Sequence, residues 1–76
     1  MKELVETIAR ALVDHPESVV VTETQEENNI RLSLHVTPED MGKVIGRQGR
    51  IAKAIRAVVK AASTRTGEHV EVDIED

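Results

Sequence analysis

Two glycines three residues apart, in the run Val44-Ile45-Gly46-Arg47-Gln48-Gly49-Arg50, are the part of the sequence best equipped to do chemistry. Glycine has no Cβ, so the backbone there is free to turn tightly and to bring its N–H groups close to a ligand. Arg47 lies between the two glycines, Arg50 follows directly, and apolar residues at helical spacing flank the run on both sides. The ligand that suits such a turn is an anion, which would meet backbone N–H groups and the positive end of the helix that follows.

The surrounding charge supports an anion. From Met41 to Gly67 the chain carries Lys43, Arg47, Arg50, Lys53, Arg56, Lys60 and Arg65 with no Asp or Glu, a local charge of +7. The other 49 residues hold Lys2, Arg10 and Arg31 against all fourteen acids, so the net charge of −4 conceals a strong segregation. Electrostatic fields decay over a Debye length of about 8 Å at physiological salt, and a polyanion therefore responds to the local patch. Phe, Trp and Tyr are absent. That removes the stacking platforms of many single-strand binders and leaves aliphatic contacts and hydrogen bonds for reading bases.

Other chemistries find little support. Without cysteine there is no disulfide, thiolate nucleophile or Cys-based zinc site. Ser18, Ser33 and Ser63 have no His and acid pattern that would activate them. His69, Glu71 and Asp73 fall on one face of a predicted strand, but residues two apart on a strand splay, whereas metal ligands must converge at about 2 Å. His15 reads as a turn residue and His35 as part of a polar strand face. Neither an enzyme nor a metal or other cofactor is expected.

A glycine turn is useful only if packed elements hold it. Met1, Leu4, Val5, Ile8, Leu12 and Val13 recur at helical spacing opposite Lys2, Glu3, Glu6 and Arg10, which predicts an amphipathic opening helix. Pro16 ends it, with His15-Pro16-Glu17-Ser18 as the turn. Val19-Val20-Val21-Thr22-Glu23-Thr24 is β-branched and predicts a strand, without an alternation that selects its inner face. After a polar turn at Glu26-Glu27-Asn28-Asn29, Ile30, Leu32, Leu34 and Val36 alternate with Arg31, Ser33 and His35, the pattern of a hairpin strand buried on one face.

Thr37-Pro38-Glu39-Asp40 then offers a capping threonine, a proline at the first helical position and acids in the first turn. The short helix it opens ends at Gly46. Beyond Gly49 a longer helix carries Ile51, Ile55, Val58, Val59 and Ala62 along one stripe and Lys53, Arg56 and Lys60 along another. Thr64-Arg65-Thr66-Gly67 closes it, and Val70, Val72 and Ile74 alternate with His69, Glu71 and Asp73 as a last strand.

The predicted class is α+β, in the order helix, strand, strand, helix, helix, strand. A three-stranded sheet with all three helices on one face would bury the alternating residues, and the last two strands would lie parallel through a crossover. Residues 1–76 are expected to form a single domain. A domain this small buries only about 60% of its unfolded surface, so dimerisation would help it. The first fourteen residues mix charged and apolar positions, so neither a signal peptide nor membrane insertion is expected, and a soluble cytoplasmic protein is.

A lone G-x-x-G is a weak signal, but its context here is specific. A strand, a capped helix, the aliphatic pair Val44-Ile45, the glycine turn and a helix with Arg50, Ile51 and Ile55 together resemble the KH domain, whose G-x-x-G loop clamps a short stretch of nucleotide backbone. The helix-strand-strand prefix looks like the type II arrangement, so the resemblance covers the whole chain. With the His15-Pro16-Glu17 turn and the run from Gly42 to Ile55, it is similar to the small bacterial single-KH RNA-binding proteins of the KhpA family.

That resemblance implies non-catalytic binding of single-stranded RNA, as an RNA chaperone or post-transcriptional regulator. It also implies a homodimer, and a heterodimer with a larger KH-containing, KhpB-like partner linked to cell elongation and cell shape. The residues themselves assign the phosphate contacts to Gly46, Arg47, Gln48 and Gly49, flanked by Lys43, Arg50 and Lys53. Carried over position by position, the resemblance places Gly42, Ile45, Ile51, Ala52 and Ile55 in or under the groove that receives the bases. Ala52 departs from the larger aliphatic residue common there, and Glu71 and Asp73 lie on the strand implied to border the groove.

The alternatives are an ordinary turn between packed helices, a helix-turn-helix-like unit for duplex DNA, and a protein-interaction module with partner-dependent RNA binding. In these terms Ile45, Ile51 and Ile55 are core residues, Ile55, Val58 and Val59 form a dimer contact, and Arg56 and Lys60 lie on a solvated face away from the groove.

Overall fold

The alternation along the second strand decides how the sheet sits. In the computed structural model, which describes every residue from Met1 to Asp76, β2 (Asn29–His35) buries Ile30, Leu32 and Leu34, with Val36 just beyond, and turns Arg31, Ser33 and His35 the other way. The central strand β2 pairs antiparallel with β1 (Val20–Glu26) and parallel with β3 (His69–Glu75), giving the order β1-β2-β3. Register then resolves the ambiguous valines. Val21 lies opposite Leu34 and must share its inward direction, so Val19 and Val21 are buried while Val20 is 51% exposed. The hairpin turns at Glu27-Asn28, with Glu27 in the left-handed region at φ 53°.

Three helices cover the inner face. α1 (Lys2–Leu12) lays Val5 and Ala9 on the sheet, α2 (Met41–Ile45) contributes Val44, and α3 (Arg50–Ser63) contributes Ile55 and Val59, all within one apolar cluster with the buried strand residues. Fully burying Val44 is worth about 2 kcal/mol, and such packing holds a helix that is too short to form alone. The buried stripe of α3 runs through Ala52, Ile55, Val59 and Ser63, rotated from the one the apolar residues suggested. Val58 is consequently 45% exposed, and Ala62 is only half-buried. The outer face of the sheet is left to polar pairs: Arg31 reaches Glu71 at 3.1 Å and Asp73 at 3.6 Å, and His35 reaches Glu75 at 3.1 Å. No helix is long and apolar enough to cross a membrane.

One polar tie within this core has no counterpart in the sequence reading. Asp40, only 1% exposed, accepts the Asp14 N–H at 3.2 Å and the His15 N–H at 3.0 Å, with the His15 ring Nδ1 at 3.1 Å. It fastens the turn after α1 to the start of α2. Thr37 does not cap the helix: Pro38–Asp40 form a 3-10 turn ahead of α2, and the Thr37 hydroxyl is buried without a hydrogen bond of acceptable geometry. The capping residue reads as such locally, but the carboxylate three residues on takes over the job of holding this junction.

The tie is pH-sensitive in both directions. The His15 pKa is raised above 6.5, chiefly by its hydrogen bond to Asp40 and against a smaller opposing effect of desolvation. For Asp40 burial is the largest influence and pushes upward, but the N–H groups of Asp14 and His15, then the His15 ring, together hold its pKa below 3.8. The His15 contribution to stability is complete below pH 6.5 and is lost as pH rises through the raised folded value. The Asp40 contribution is complete above pH 3.8 and is lost as pH falls through the depressed one. Tm should therefore plateau between these limits. His15→Gln should flatten the descent on the alkaline side and leave the acid side in place; an unchanged alkaline limb would refute the tie.

Candidate nucleic-acid interface

The hinge between α2 and α3 is built from three departures from ordinary backbone within four residues. Gly46 sits at φ 75°, ψ 173°, Gln48 at φ 57°, ψ 24°, and Gly49 at φ 72°, ψ 16°. The Gly46 values fall in a region open essentially only to glycine. A Cβ at Gly46 would also lie 2.6 Å from Ile51 Cγ1, so this glycine is required twice, by its torsion angles and by the first turn of α3 folding back over it. At Gly49 a Cβ would meet nothing within 4 Å, and only the left-handed φ argues for glycine.

This geometry redistributes the roles within the loop. The Gly46 N–H donates to the Gly42 carbonyl at 2.9 Å and the Gly49 N–H to the Gly46 carbonyl at 3.1 Å, so the amides of the glycines close the turn and do not point outward. Arg50 N–H likewise donates to the Arg47 carbonyl. A turn this tight must satisfy its own polar groups. What it projects is its tip: Arg47 and Gln48 are both exposed, and Arg50 Nη2 approaches Gln48 Oε1 at 3.4 Å.

The other expected phosphate contacts are distributed around this tip. Lys53 is exposed on α3, whereas Lys43 on α2 is engaged with Asp14 at 3.2 Å and contributes a partly neutralised charge. The residues expected at the base groove do not share one cavity. Gly42 is exposed on α2 with open space where a side chain would lie, Ile45 is half-buried, and Ala52 is buried in α3. Ile51 and Ile55 instead line an apolar groove of about 310 Å³ between α1 and α3, together with Ile8, Leu12, Ala54 and Val58, with Arg50 at its margin.

A second cleft was missed in the sequence. Between α3 and β3 lies a cavity of about 560 Å³ bordered by Arg56, Lys60, Ser63 and Thr64 on one side and by the strand from His69 to Asp73 on the other. Arg56 and Lys60, both exposed, border this cleft, and Arg56 Nε donates to the Val72 carbonyl at 3.1 Å. The spacing of Lys53, Arg56 and Lys60 was legible as a stripe, but its direction depends on which stripe of α3 is buried. Rotation of the core stripe toward Ala52 and Ser63 turns Arg56 and Lys60 toward β3 and Val58 toward α1.

The hinge, the acid-free helix behind it and the strand beside it can be compared with known proteins. Residues 2–74 match the family model for the KH domain of KhpA/KhpB. The RNA-binding protein KhpA of Clostridium perfringens is 64% identical over 74 residues, covering 97% of this chain and 99% of that protein. The protein of the same name from Halalkalibacterium halodurans is 55% identical over 76 residues, the full length of both. Among solved structures, Aquifex aeolicus Era bound to GDP and AlF4− superposes with a TM-score of 0.68 at 19% identity, over 97% of this chain and 29% of that one. An Era complex with MgGDPNP and nucleotides 1506–1542 of 16S ribosomal RNA does so with a TM-score of 0.62 at 17% identity, over 97% of this chain and 28% of that one. These two likenesses concern the fold. A match from end to end, at identities above one half, decides the family: the chain belongs to the KH-domain proteins of the KhpA/KhpB family.

Proposed function

We propose that this chain binds single-stranded RNA without catalysis, gripping its sugar-phosphate backbone at the Arg47-Gln48 tip and admitting bases to the surface beside α3. The observation that carries this is the hinge: a fixed turn that projects Arg47 and Gln48 into solvent ahead of a helix with no acidic residue. The relatives are named as RNA-binding proteins, which supports the same reading. Arg47 supplies a charge-assisted contact, Gln48 a neutral one, and the N-terminus of α3 adds partial positive charge behind them. Lys53 and Arg50 extend the field, with Lys43 weakened by Asp14. An RNA chaperone or post-transcriptional regulator acting in the cytoplasm, with one KH domain spanning the chain, is the role that fits a small binder of this kind.

Salt dependence tests the backbone grip. If three or four phosphates are neutralised, log affinity for a single-stranded oligoribonucleotide should fall against log salt with a slope of about −2 to −3. A flat dependence would refute it, and stronger competition by duplex DNA than by single-stranded RNA at the same salt would favour a duplex reader.

A second reading, which coexists with the first, has its own observation. The groove between α1 and α3 is almost wholly apolar, and Leu12 and Val58 on its rim are 37% and 45% exposed. This is the face through which the chain would form a homodimer or dock a larger KH-containing partner. Val59, expected to share that contact, is fully buried in the core and does not reach it. The oligomeric state of the purified protein, with and without RNA, separates association from RNA binding.

A further inference from the structure

Seven cations lie between Met41 and Gly67, and that segment has no acid of its own. Six of the seven make no ion pair with a carboxylate. The exception is Lys43, whose Nζ lies 3.2 Å from Asp14 Oδ2, and Asp14 comes from a different part of the fold, the turn that follows α1. A single carboxylate thus reaches into the basic surface.

Asp14 is held there by its main chain. Its N–H donates to Asp40 Oδ1 at 3.2 Å and the neighbouring His15 N–H to Asp40 Oδ2 at 3.0 Å, so the turn is fastened to the start of the helix that carries Lys43. The Asp14 side chain is 70% exposed and that of Lys43 42%, which leaves the pair open to an incoming ligand. An exposed pair of this kind is easily exchanged, because its loss changes an equilibrium constant by only about fivefold at most.

We propose that Asp14 is a positioning residue that occupies Lys43 in the free protein, as a stand-in for phosphate, and yields it to the RNA backbone in the complex. This rests on the reading of the protein as a single-stranded RNA binder with Lys43 beside the phosphate path. Lys43 stands three residues before Gly46, so a strand held at Arg47 and Arg50 brings a further phosphate to it from within the same complex. A contact tethered in this way competes at a high effective concentration, an advantage that a lone anion does not have. The exchange breaks one ion pair and makes another. Lys43 therefore adds little net affinity, and Asp14 limits how tightly RNA is held. The freed carboxylate also takes up a counterion as the phosphate sheds one, so this contact is nearly silent in the salt dependence.

A double-mutant cycle tests the exchange, with one single-stranded oligoribonucleotide titrated over a range of salt against the wild type, Asp14→Asn, Lys43→Met and the double variant. Asp14→Asn should bind about threefold more tightly than the wild type and steepen the slope of log affinity against log salt by about 0.7, the equivalent of one further phosphate. In the Lys43→Met background the same substitution should change affinity by less than about 1.5-fold and leave the slope in place. Asp14→Glu keeps the carboxylate and should bind within about twofold of the wild type. An equal gain from Asp14→Asn in both backgrounds would show that Asp14 acts only through its field on the RNA. A loss of affinity would show that it aims Lys43 at the strand, and no change would show that the pair persists in the complex. Each of these results overturns the proposal. Failure of the wild type to bind any oligoribonucleotide would instead overturn the RNA reading itself, and the proposal with it. Asparagine keeps the N–H that Asp40 accepts, and neither side chain of the pair is buried, so unchanged Tm in all variants is the accompanying control.

Discussion

Gly46→Ala is expected to lower Tm by about 15 °C, the largest loss among the glycine-to-alanine changes compared below. Two costs combine at that position. Alanine would have to adopt φ 75°, ψ 173°, a conformation worth roughly 1–3 kcal/mol of strain, and its Cβ would press to 2.6 Å from Ile51 Cγ1, an overpacking of roughly 1–3 kcal/mol. A domain of 76 residues has a total stability of only about 4–11 kcal/mol. Gly49→Ala carries the strain of a left-handed φ alone, roughly 1–2 kcal/mol, and should lower Tm by about 5–10 °C. Gly42→Ala, in a helix with open space around it, should raise Tm by a few degrees, because alanine is favoured over glycine there by about 1 kcal/mol. Thermal unfolding of the three variants decides the matter. An equal response from all three would mean that the hinge is pliable and that the torsion angles do not determine its shape.

The contrast between these glycines shows what the sequence could and could not convey. Element order and the parallel crossover were legible because Ile30, Leu32, Leu34 and Val36 alternate without interruption and Pro16, Pro38, Gly46 and Gly67 punctuate the chain. The glycine hinge was legible as a motif, but the division of labour inside it was not. Which amides close the turn, and which side of Gly46 is covered by Ile51, are consequences of packing between residues that spacing treats as equivalent. The orientation of α3 was lost for a similar reason. Alanine at position 52 and serine at 63 carry little hydrophobic signal, yet both are buried, and Val58 is left exposed. That single rotation moved Arg56 into a cleft and separated Ile51 from Ala52. Asp40 is the first-turn acid the sequence suggested, but its partners lie 25 and 26 residues away and left no local signal.

Charge segregation follows from the same packing. The acidic residues of β3 lie on the outer face of the sheet beside Arg31 and the histidines, while the bases of α3 and the hinge lie over the helical side. An anionic strand approaching the hinge is thus separated by the sheet from the carboxylates of Glu71, Asp73 and Glu75.

The double variant Arg47→Asp, Gln48→Asp should weaken RNA binding by at least about 100-fold, the equivalent of losing one charge-assisted contact and adding repulsion at the next phosphate. It is also a variant that should fold as well as the parent. Both side chains are exposed, and the only hydrogen bond at stake is the 3.4 Å contact from Arg50 to Gln48 at the surface. Gln48 holds a left-handed φ of 57°, where aspartate is among the better tolerated residues, so the backbone is not strained further. Two carboxylates just ahead of α3 interact favourably with the positive end of its dipole. Stability and binding are therefore expected to diverge, with Tm unchanged or slightly raised while affinity collapses. A Tm lowered by more than about 10 °C would show the tip to be structural, and affinity retained within about threefold would place the phosphate contacts elsewhere on the chain.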